Sequence, residues 1–221
     1  MRSMVCWAWL PFAAGEAYGF KHGGMRYDSG SGQQGGSPVD GRPYAALFAS
    51  EFASQGTWFL DKKKAGGGIL MNLGAHSIDK IQWLTNSRIT KVKAALSYEG
   101  ERGNVEGSGC IFLETSNGVP AVIVQSGYTG VAKDETELIF SRGMIKLISA
   151  KGVWVSREGQ YEELEPRDAS DPFVLQFKDL LQAIQSKTEP DSSGQYARSV
   201  ITALEAVYRS GETGVEQQVD N

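Results

Sequence analysis

Residues 65–84 read A-G-G-G-I-L-M-N-L-G-A-H-S-I-D-K-I-Q-W-L, and the rest of the chain is organised around them. The three glycines at 66–68 allow a sharp backbone turn, and an apolar run with helical spacing follows at once. At about 100° per residue, one side of the predicted helix carries Leu70, Leu73, Ile81 and Leu84. The stretch therefore predicts a loop that opens into a helix over about residues 68–85, with one face in the core.

The same helix carries a second stripe about 60° wide, roughly a third of a turn from the first. Its members are Asn72, His76, Asp79 and Trp83. A histidine held on a packed helix can exchange a proton near neutral pH, as a general acid/base must. A lone helical histidine is nevertheless more often a structural, hydrogen-bonded residue, so both interpretations stay open on pattern alone. Gly74 inside the helix indicates close approach of another backbone or of a ligand.

The charge of the chain argues against nucleic-acid binding. The formal net charge is −4 and the isoelectric point is about 5.3, whereas a nucleic-acid surface needs clustered Lys and Arg. The nearest approach to such a cluster is the three lysines at 62–64, which follow an aspartate.

Cysteine usage and hydropathy predict a cytoplasmic protein that does not span a membrane. Cys6 and Cys110 form neither a disulfide framework nor a metal-spaced pair, so a reducing compartment is the default. No apolar run approaches the roughly 18 residues that span a bilayer. The first 17 residues resemble a short signal peptide, but Pro11 and several tryptophans interrupt the apolar stretch and argue against secretion.

Residues 1–41 form a glycine-rich segment with little expected regular structure. Residues 30–35, G-S-G-Q-Q-G, satisfy the dinucleotide pattern G-x-G-x-x-G. That pattern has physical meaning only between a buried strand and a helix, where backbone amides meet a pyrophosphate. Here no apolar strand precedes it, and the following G-S-P-V-D-G-R-P cannot begin a helix. We therefore predict no nucleotide site in this segment.

The remainder, residues 42–221, predicts a single α+β domain. Alternating apolar residues indicate strands over 44–52, 90–98, 109–115, 119–126, 135–141, 144–149, 153–157 and 161–164. Tight turns at Asn117-Gly118, Arg142-Gly143 and Glu158-Gly159 join three pairs into hairpins. Two helices follow, one starting at Pro172 after an Asp171 cap and one capped by Ser192 or Ser193 and ending near Gly211. The pattern predicts an open, largely antiparallel β-sheet with helices packed on one face.

The run W-F-L-D-K-K-K-A-G-G-G-I-L-M-N-L-G-A-H-S-I-D over residues 58–79 resembles the C-terminal domain of the Gfo/Idh/MocA oxidoreductases. Members carry a Gly-Gly-Gly turn and then a helix that reads roughly Asp-x-Gly-x-His-x-x-Asp. Three later segments are also similar: F-V-L-Q-F-K-D-L-L-Q-A-I from residue 173, E-P-D-S-S-G from 189 and L-E-A-V-Y-R-S from 204. The resemblance spans about residues 42–215, and its segments occur in the family's order.

The resemblance implies a substrate-binding and oligomerisation domain of an NAD(P)-dependent enzyme acting on a sugar, polyol or related hydroxy or keto compound. In the family the motif histidine, here His76, is the general acid/base beside a lysine from a Glu-Lys-Pro motif in the nucleotide domain. The first acidic position is Asn72 here, which can hydrogen-bond a substrate but cannot raise the basicity of His76 by charge. Asp79 matches the later acidic position. Trp83, from the same helix stripe, completes the predicted substrate site. The family also implies a homo-oligomer formed through the other face of the sheet.

The chain itself shows no Rossmann βαβ pattern and no Glu-Lys-Pro, so we expect it to bind neither NAD nor NADP alone. The cofactor implied by the resemblance would then come with a separate nucleotide-binding chain, unless the chain is a truncated member. The alternative is a non-catalytic, stand-alone domain that binds a ligand or oligomerises. No metal site, G-x-S-x-G elbow or His-Glu-x-x-His motif is present in the sequence.

Overall fold

The computed structural model describes residues 44–50, 57–99, 103–128, 131–165 and 171–220. The predicted glycine-rich segment, residues 1–41, lies outside the described residues. The predicted start of the domain at residue 42 falls two residues before the first described strand.

The described residues form a single nine-stranded sheet in the order β8-β7-β6-β5-β1-β4-β3-β2-β9. Its strands are β1 (Tyr44–Ser50), β2 (Ile89–Ser97), β3 (Ser108–Thr115), β4 (Pro120–Ser126), β5 (Lys133–Phe140), β6 (Gly143–Ile148), β7 (Gly152–Arg157), β8 (Gln160–Leu164) and β9 (Gln217–Gln218). β1 lies between β4 and β5, parallel to the former and antiparallel to the latter. The other pairs are antiparallel, which confirms the predicted largely antiparallel sheet.

Two of the three predicted hairpin turns have a glycine with a positive φ, and the Arg142-Gly143 turn between β5 and β6 does not. Gly118 has a φ of 75° between β3 and β4, and Gly159 has a φ of 81° between β7 and β8. Positive φ values are accessible to glycine without steric cost, so these positions fix the turns locally.

Four α-helices are present in the described residues: α1 (Lys62–Ala65), α2 (Ala75–Thr85), α3 (Pro172–Ser186) and α4 (Gly194–Thr213), besides a 3₁₀ turn at Thr57–Leu60 and a π turn at Leu70–Gly74. The Asp171 carboxylate accepts the Phe173 N–H at 2.8 Å, which confirms it as the cap of α3. Ser193 rather than Ser192 caps α4, since its hydroxyl accepts the Tyr196 N–H at 3.3 Å. α4 runs two residues past Gly211 and ends before Gly214, whose φ is 69°.

The hydrophobic core lies between one face of the sheet and the helices α2 and α4. Buried apolar side chains come from all three: Leu70, Ile78, Ile81, Leu84, Ile111, Leu113, Ile123, Leu138, Ala203, Leu204 and Val207. Of the predicted apolar stripe, Leu73 is only partly buried, although it still packs against the core. No helix within the described ranges is both long and apolar enough to cross a membrane.

Candidate active site

The glycine turn before the site is required by close packing. Gly66 has a φ of 84°, in the region that favours glycine. A Cβ at Gly67 would lie 2.0 Å from the Tyr208 hydroxyl, and one at Gly68 would lie 2.0 Å from the backbone oxygen of Glu106. Two other segments therefore touch this turn where a side chain would otherwise stand.

The Glu106 carboxylate caps the helical segment that follows the turn. It is 1% exposed. Its oxygens accept the N–H groups of Gly68 at 2.9 Å and of Leu70 at 3.0 Å, and the Tyr208 hydroxyl donates to Oε1 at 2.8 Å. Its backbone oxygen also accepts the Ile69 N–H at 3.2 Å. A carboxylate at a helix N-terminus satisfies otherwise unpaired donors and opposes the positive end of the helix dipole.

The predicted continuous helix is divided into two kinds of helix. Leu70–Gly74 form a π-helical turn, and α2 continues it from Ala75 without a break. Asn72 therefore lies in the π turn and His76 in the first turn of α2. Single π turns inside α-helices occur often at functional sites, and they change the angular spacing on which the predicted stripe was built. A Cβ at Gly74 would lie 3.2 Å from the Leu70 side chain of the same helical segment and 3.5 Å from the side chains of Gln125 and Leu204, so the atoms nearest to this glycine are side chains and not another backbone.

The His76 imidazole is half-buried and faces two charged groups. Burial lowers the pKa of His76 most strongly, and the Lys80 ammonium lowers it further, while the Asp134 carboxylate raises it. No hydrogen bond joins the side chain of Asn72 or of His76 to another residue within the described part of the chain. Both polar groups thus keep their hydrogen-bonding capacity with respect to those residues.

Asp79 has different surroundings from His76. Its carboxylate accepts the Tyr196 hydroxyl of α4 at 2.5 Å, and it is 6% exposed. Burial raises the pKa of Asp79 to about 7, although the hydrogen bond from Tyr196 lowers it. The Arg88 guanidinium lies 4.4 Å from the centroid of the Tyr196 ring. The described contacts of Asp79 therefore join α2 to α4.

The predicted four-residue stripe is thus divided between two environments. Asn72 and His76 lie four residues apart at the π-to-α junction, both half-buried. Asp79 is bonded to α4, and Trp83 packs against the hydrophobic core. Their roles in substrate binding stay predictions.

Residues 41–146 match the family model of the GFO/IDH/MocA C-terminal domain. These 106 of the 221 residues are similar to the C-terminal domain of that oxidoreductase family. A search of curated protein sequences finds no match.

Solved structures of Gfo/Idh/MocA oxidoreductases share the fold. An aldose-aldose oxidoreductase from Caulobacter crescentus, solved with glycerol, is 23% identical with a TM-score of 0.71, and the match covers 80% of this chain and 55% of that one. Levoglucosan dehydrogenase, solved with NADH and L-sorbose, is 16% identical with a TM-score of 0.68, covering 83% and 60%. An NAD-binding oxidoreductase from Klebsiella pneumoniae is 16% identical with a TM-score of 0.72, covering 81% and 59%. The chain therefore spans little more than half the length of these proteins.

The described residues do not fit a dinucleotide. A pyrophosphate binds at a helix N-terminus through unpaired backbone N–H groups behind a glycine turn. Here the glycine turn and helix are present, but Gly68 and Leu70 already donate to the chain's own Glu106 carboxylate. A dinucleotide-binding unit also needs two parallel strands joined by a helix. Among the described strands β1 and β4 are the parallel pair, but the chain between them includes the antiparallel strands β2 and β3. No group of three or more His, Cys, Asp or Glu in these ranges is placed to hold a metal ion.

Sequence reasoning missed three residues around the site. Lys80 and Asp134 act on His76, and Glu106 holds the turn that precedes it. Lys80 could have been found, because it stands four residues after His76 in the same predicted helix. Glu106 lies in a glycine-flanked loop with no periodic pattern, so the sequence contained no signal for it.

Proposed function

We propose that this chain is the substrate-binding and oligomerisation domain of an NAD(P)-dependent oxidoreductase that acts on a sugar, polyol or related hydroxy or keto compound. His76 is its general acid/base. The observation that carries the proposal is a half-buried imidazole at the start of α2 with its pKa lowered by burial and by Lys80. The glycerol and L-sorbose in the structures of two similar proteins support the substrate class.

The chain's own residues supply the proton chemistry and part of the substrate contact. A neutral imidazole accepts the proton of a substrate hydroxyl and returns it in the reverse reaction. The Asn72 amide, four residues away, can donate to or accept from the same hydroxyl. Because the described residues do not fit a dinucleotide, the NAD or NADP of such an enzyme would be held by a separate polypeptide or by another part of a longer protein. A cytoplasmic location stays a prediction.

The purified chain is expected not to bind NADH or NADPH. The helix N-terminus that could bind a pyrophosphate is occupied by Glu106, so no anion site of this kind is free in the described residues. Isothermal titration calorimetry with each cofactor measures this directly, with full-length levoglucosan dehydrogenase as the positive control. Binding in the micromolar range would contradict the assignment and would direct attention to residues 1–41.

The alternative is a non-catalytic domain that only binds a ligand or oligomerises. Asn72 favours it, since an amide replaces the carboxylate that the family carries at this position. A domain of this kind would give the same calorimetric result, so the two functions are separated by the His76 substitution treated in the Discussion.

We also propose a homo-oligomer formed through the sheet face opposite α2 and α4. Residues on this face alternate with buried ones: Phe112 is 59% exposed, whereas its neighbours Ile111 and Leu113 are buried. Phe112 is paired with Val122 on β4, and three further exposed apolar side chains lie across the same sheet: Val124 on β4, Ile139 on β5 and Tyr161 on β8. Apolar side chains that are grouped on adjacent strands and not fully buried, as at Phe112, Val122 and Val124, are typical of an interaction site.

Phe112→Glu is expected to weaken self-association by about 100-fold or more, because a charge would be buried without a partner. Sedimentation equilibrium of the wild type and the variant measures the change. Phe177→Glu is a matched control, since Phe177 lies on α3 and is also 59% exposed. A monomeric wild type, or dissociation only in the α3 variant, would refute an interface on the sheet.

A further inference from the structure

A buried glutamine amide lies beneath the π turn that carries Asn72. Gln125 belongs to the buried face of β4 and is 1% exposed. A Cβ built on Gly74, the last residue of the π turn, would lie 3.5 Å from Gln125 Oε1, at ordinary contact distance. Because glycine has no Cβ, this contact is not made on the helix side. The amide thus faces the junction between the π turn and α2.

The Gln125 amide has no hydrogen-bond partner among the described residues, since both Nε2 and Oε1 are buried and unpaired. Its neighbours in the sheet register are Gly109 on β3 and Ala49 on β1. Neither residue type has a side chain that can donate or accept a hydrogen bond. The Leu204 side chain of α4, 3.5 Å from the same Cβ position of Gly74, adds only apolar atoms. Burying an amide without partners is costly, which indicates a partner other than these residues.

A second glutamine of the domain shows the usual pairing of a buried amide. Gln82 of α2 is also 1% exposed. Its Nε2 donates to the Ser199 hydroxyl at 3.1 Å, and its Oε1 accepts the Ile89 N–H at 3.1 Å. The two glutamines are therefore equally buried, but only Gln82 is paired by groups of the chain within the described ranges.

We propose that Gln125 binds an internal water molecule that joins β4 to the π turn. Water matches the amide because each can donate and accept hydrogen bonds, and a site that is 1% exposed is closed to larger ligands. At the change from i→i+5 to i→i+4 backbone bonds, a π turn leaves one carbonyl oxygen outside the regular ladder, and this oxygen is an acceptor for the water.

The bound water gives the π turn a second support. Glu106 holds the start of the turn through the Leu70 N–H, and Gln125 holds it from the sheet side through the water. Both contacts fix the segment that carries Asn72. The water site involves neither a cofactor nor turnover, so it is independent of the proposed function.

Magnetisation transfer between water and the Gln125 side-chain amide, measured by NMR on the isotopically labelled full chain, detects the bound molecule. A long-lived internal water gives NOE and ROE cross-peaks of opposite sign, whereas mobile surface water gives peaks of the same sign. Gln125→Met identifies the amide signals by removing them. The Gln82 amide is the comparison in the same spectrum, since its partners are protein groups. Cross-peaks of opposite sign are expected at Gln125 and not at Gln82, and their absence at Gln125 would overturn the proposal.

Gln125→Met is expected to raise the equilibrium constant of unfolding by about 10-fold, because the variant keeps the side-chain length but removes the amide that binds the water. An amide without a ligand predicts the opposite sign, since methionine would relieve the cost of burying an unpaired polar group. Gln82→Met is the matched control and shows the loss of an amide that is paired at both ends. Urea unfolding followed by tryptophan fluorescence measures both variants. A Gln125→Met chain at least as stable as the wild type would contradict the bound water. If this variant does not fold, the NMR measurement on the wild type decides, with its signals assigned through the backbone.

Discussion

Glu106→Gln is expected to lower the free energy of unfolding by about 3 kcal/mol. The wild-type carboxylate presents only acceptors to the donors of Gly68, Leu70 and Tyr208. A glutamine amide presents one oxygen and one NH₂, so at least one N–H donor would face another donor in a site that is 1% exposed. Leaving buried donors unpaired costs about 1–3 kcal/mol each, and relief of the buried charge offsets only part of this cost.

Urea unfolding, followed by tryptophan fluorescence, measures the loss. Glu114→Gln on β3 is the matched control, because Glu114 is an exposed partner in a surface ion pair with Lys91. Such pairs contribute about 1 kcal/mol at most, so the control should be nearly neutral. Hydrogen exchange at the Leu70 amide should accelerate in Glu106→Gln and not in the control. Equal stability of the two variants would show that the carboxylate does not hold the turn.

Most of the sheet could be predicted because its information is local. Strand alternation and the Asn117-Gly118 and Glu158-Gly159 turns place the hairpin strands within two residues of their observed bounds. Asp171 and Pro172 likewise fix the start of α3 through the cap and the first helical position.

The position of β1 depends on distant partners. β1 is inserted between β4 and β5, and its parallel partner β4 begins 70 residues or more further along the chain. No turn or spacing near residues 44–50 encodes that pairing, because parallel strands are joined by long connections. The two-residue strand β9 could not be predicted from the local sequence either, since it is a strand only through its pairing with β2.

The site was predicted in part, for a similar reason. Helical periodicity brings Asn72 and His76 to one region, because they are neighbours in sequence. It assigned Asp79 to the same stripe, but the Tyr196 hydroxyl, 117 residues away, binds that carboxylate. The π turn at residues 70–74 also changes the angles, and its cap comes from Glu106 in a loop. Which side chains a helix face meets is decided by the elements packed on it, and periodicity alone does not contain that information.

His76→Ala is expected to lower kcat/KM by about 10²–10⁴-fold in an enzyme assembled around this domain, the usual contribution of a general acid/base. Activity requires a nucleotide-binding domain, so the test uses a chimera. Residues 42–221 are fused behind the part of the NAD-binding oxidoreductase from Klebsiella pneumoniae that lies outside its match to this chain, a match with a TM-score of 0.72. Reduction of NAD or NADP is then measured with a panel of aldoses and polyols.

Chemical rescue distinguishes a proton-transfer role of His76 from a purely structural one. Alanine leaves a space beside Lys80 that free imidazole can enter, and added imidazole should restore part of the rate if the lost group exchanged a proton. Lys63→Ala, at an exposed position of α1, should leave the rate unchanged. A His76→Ala chimera as fast as its parent would exclude His76 as the base. A folded parent chimera that binds NAD but turns over no sugar or polyol would favour the non-catalytic alternative. In that case Asn72 marks the loss of the catalytic carboxylate, and the domain retains only binding and assembly.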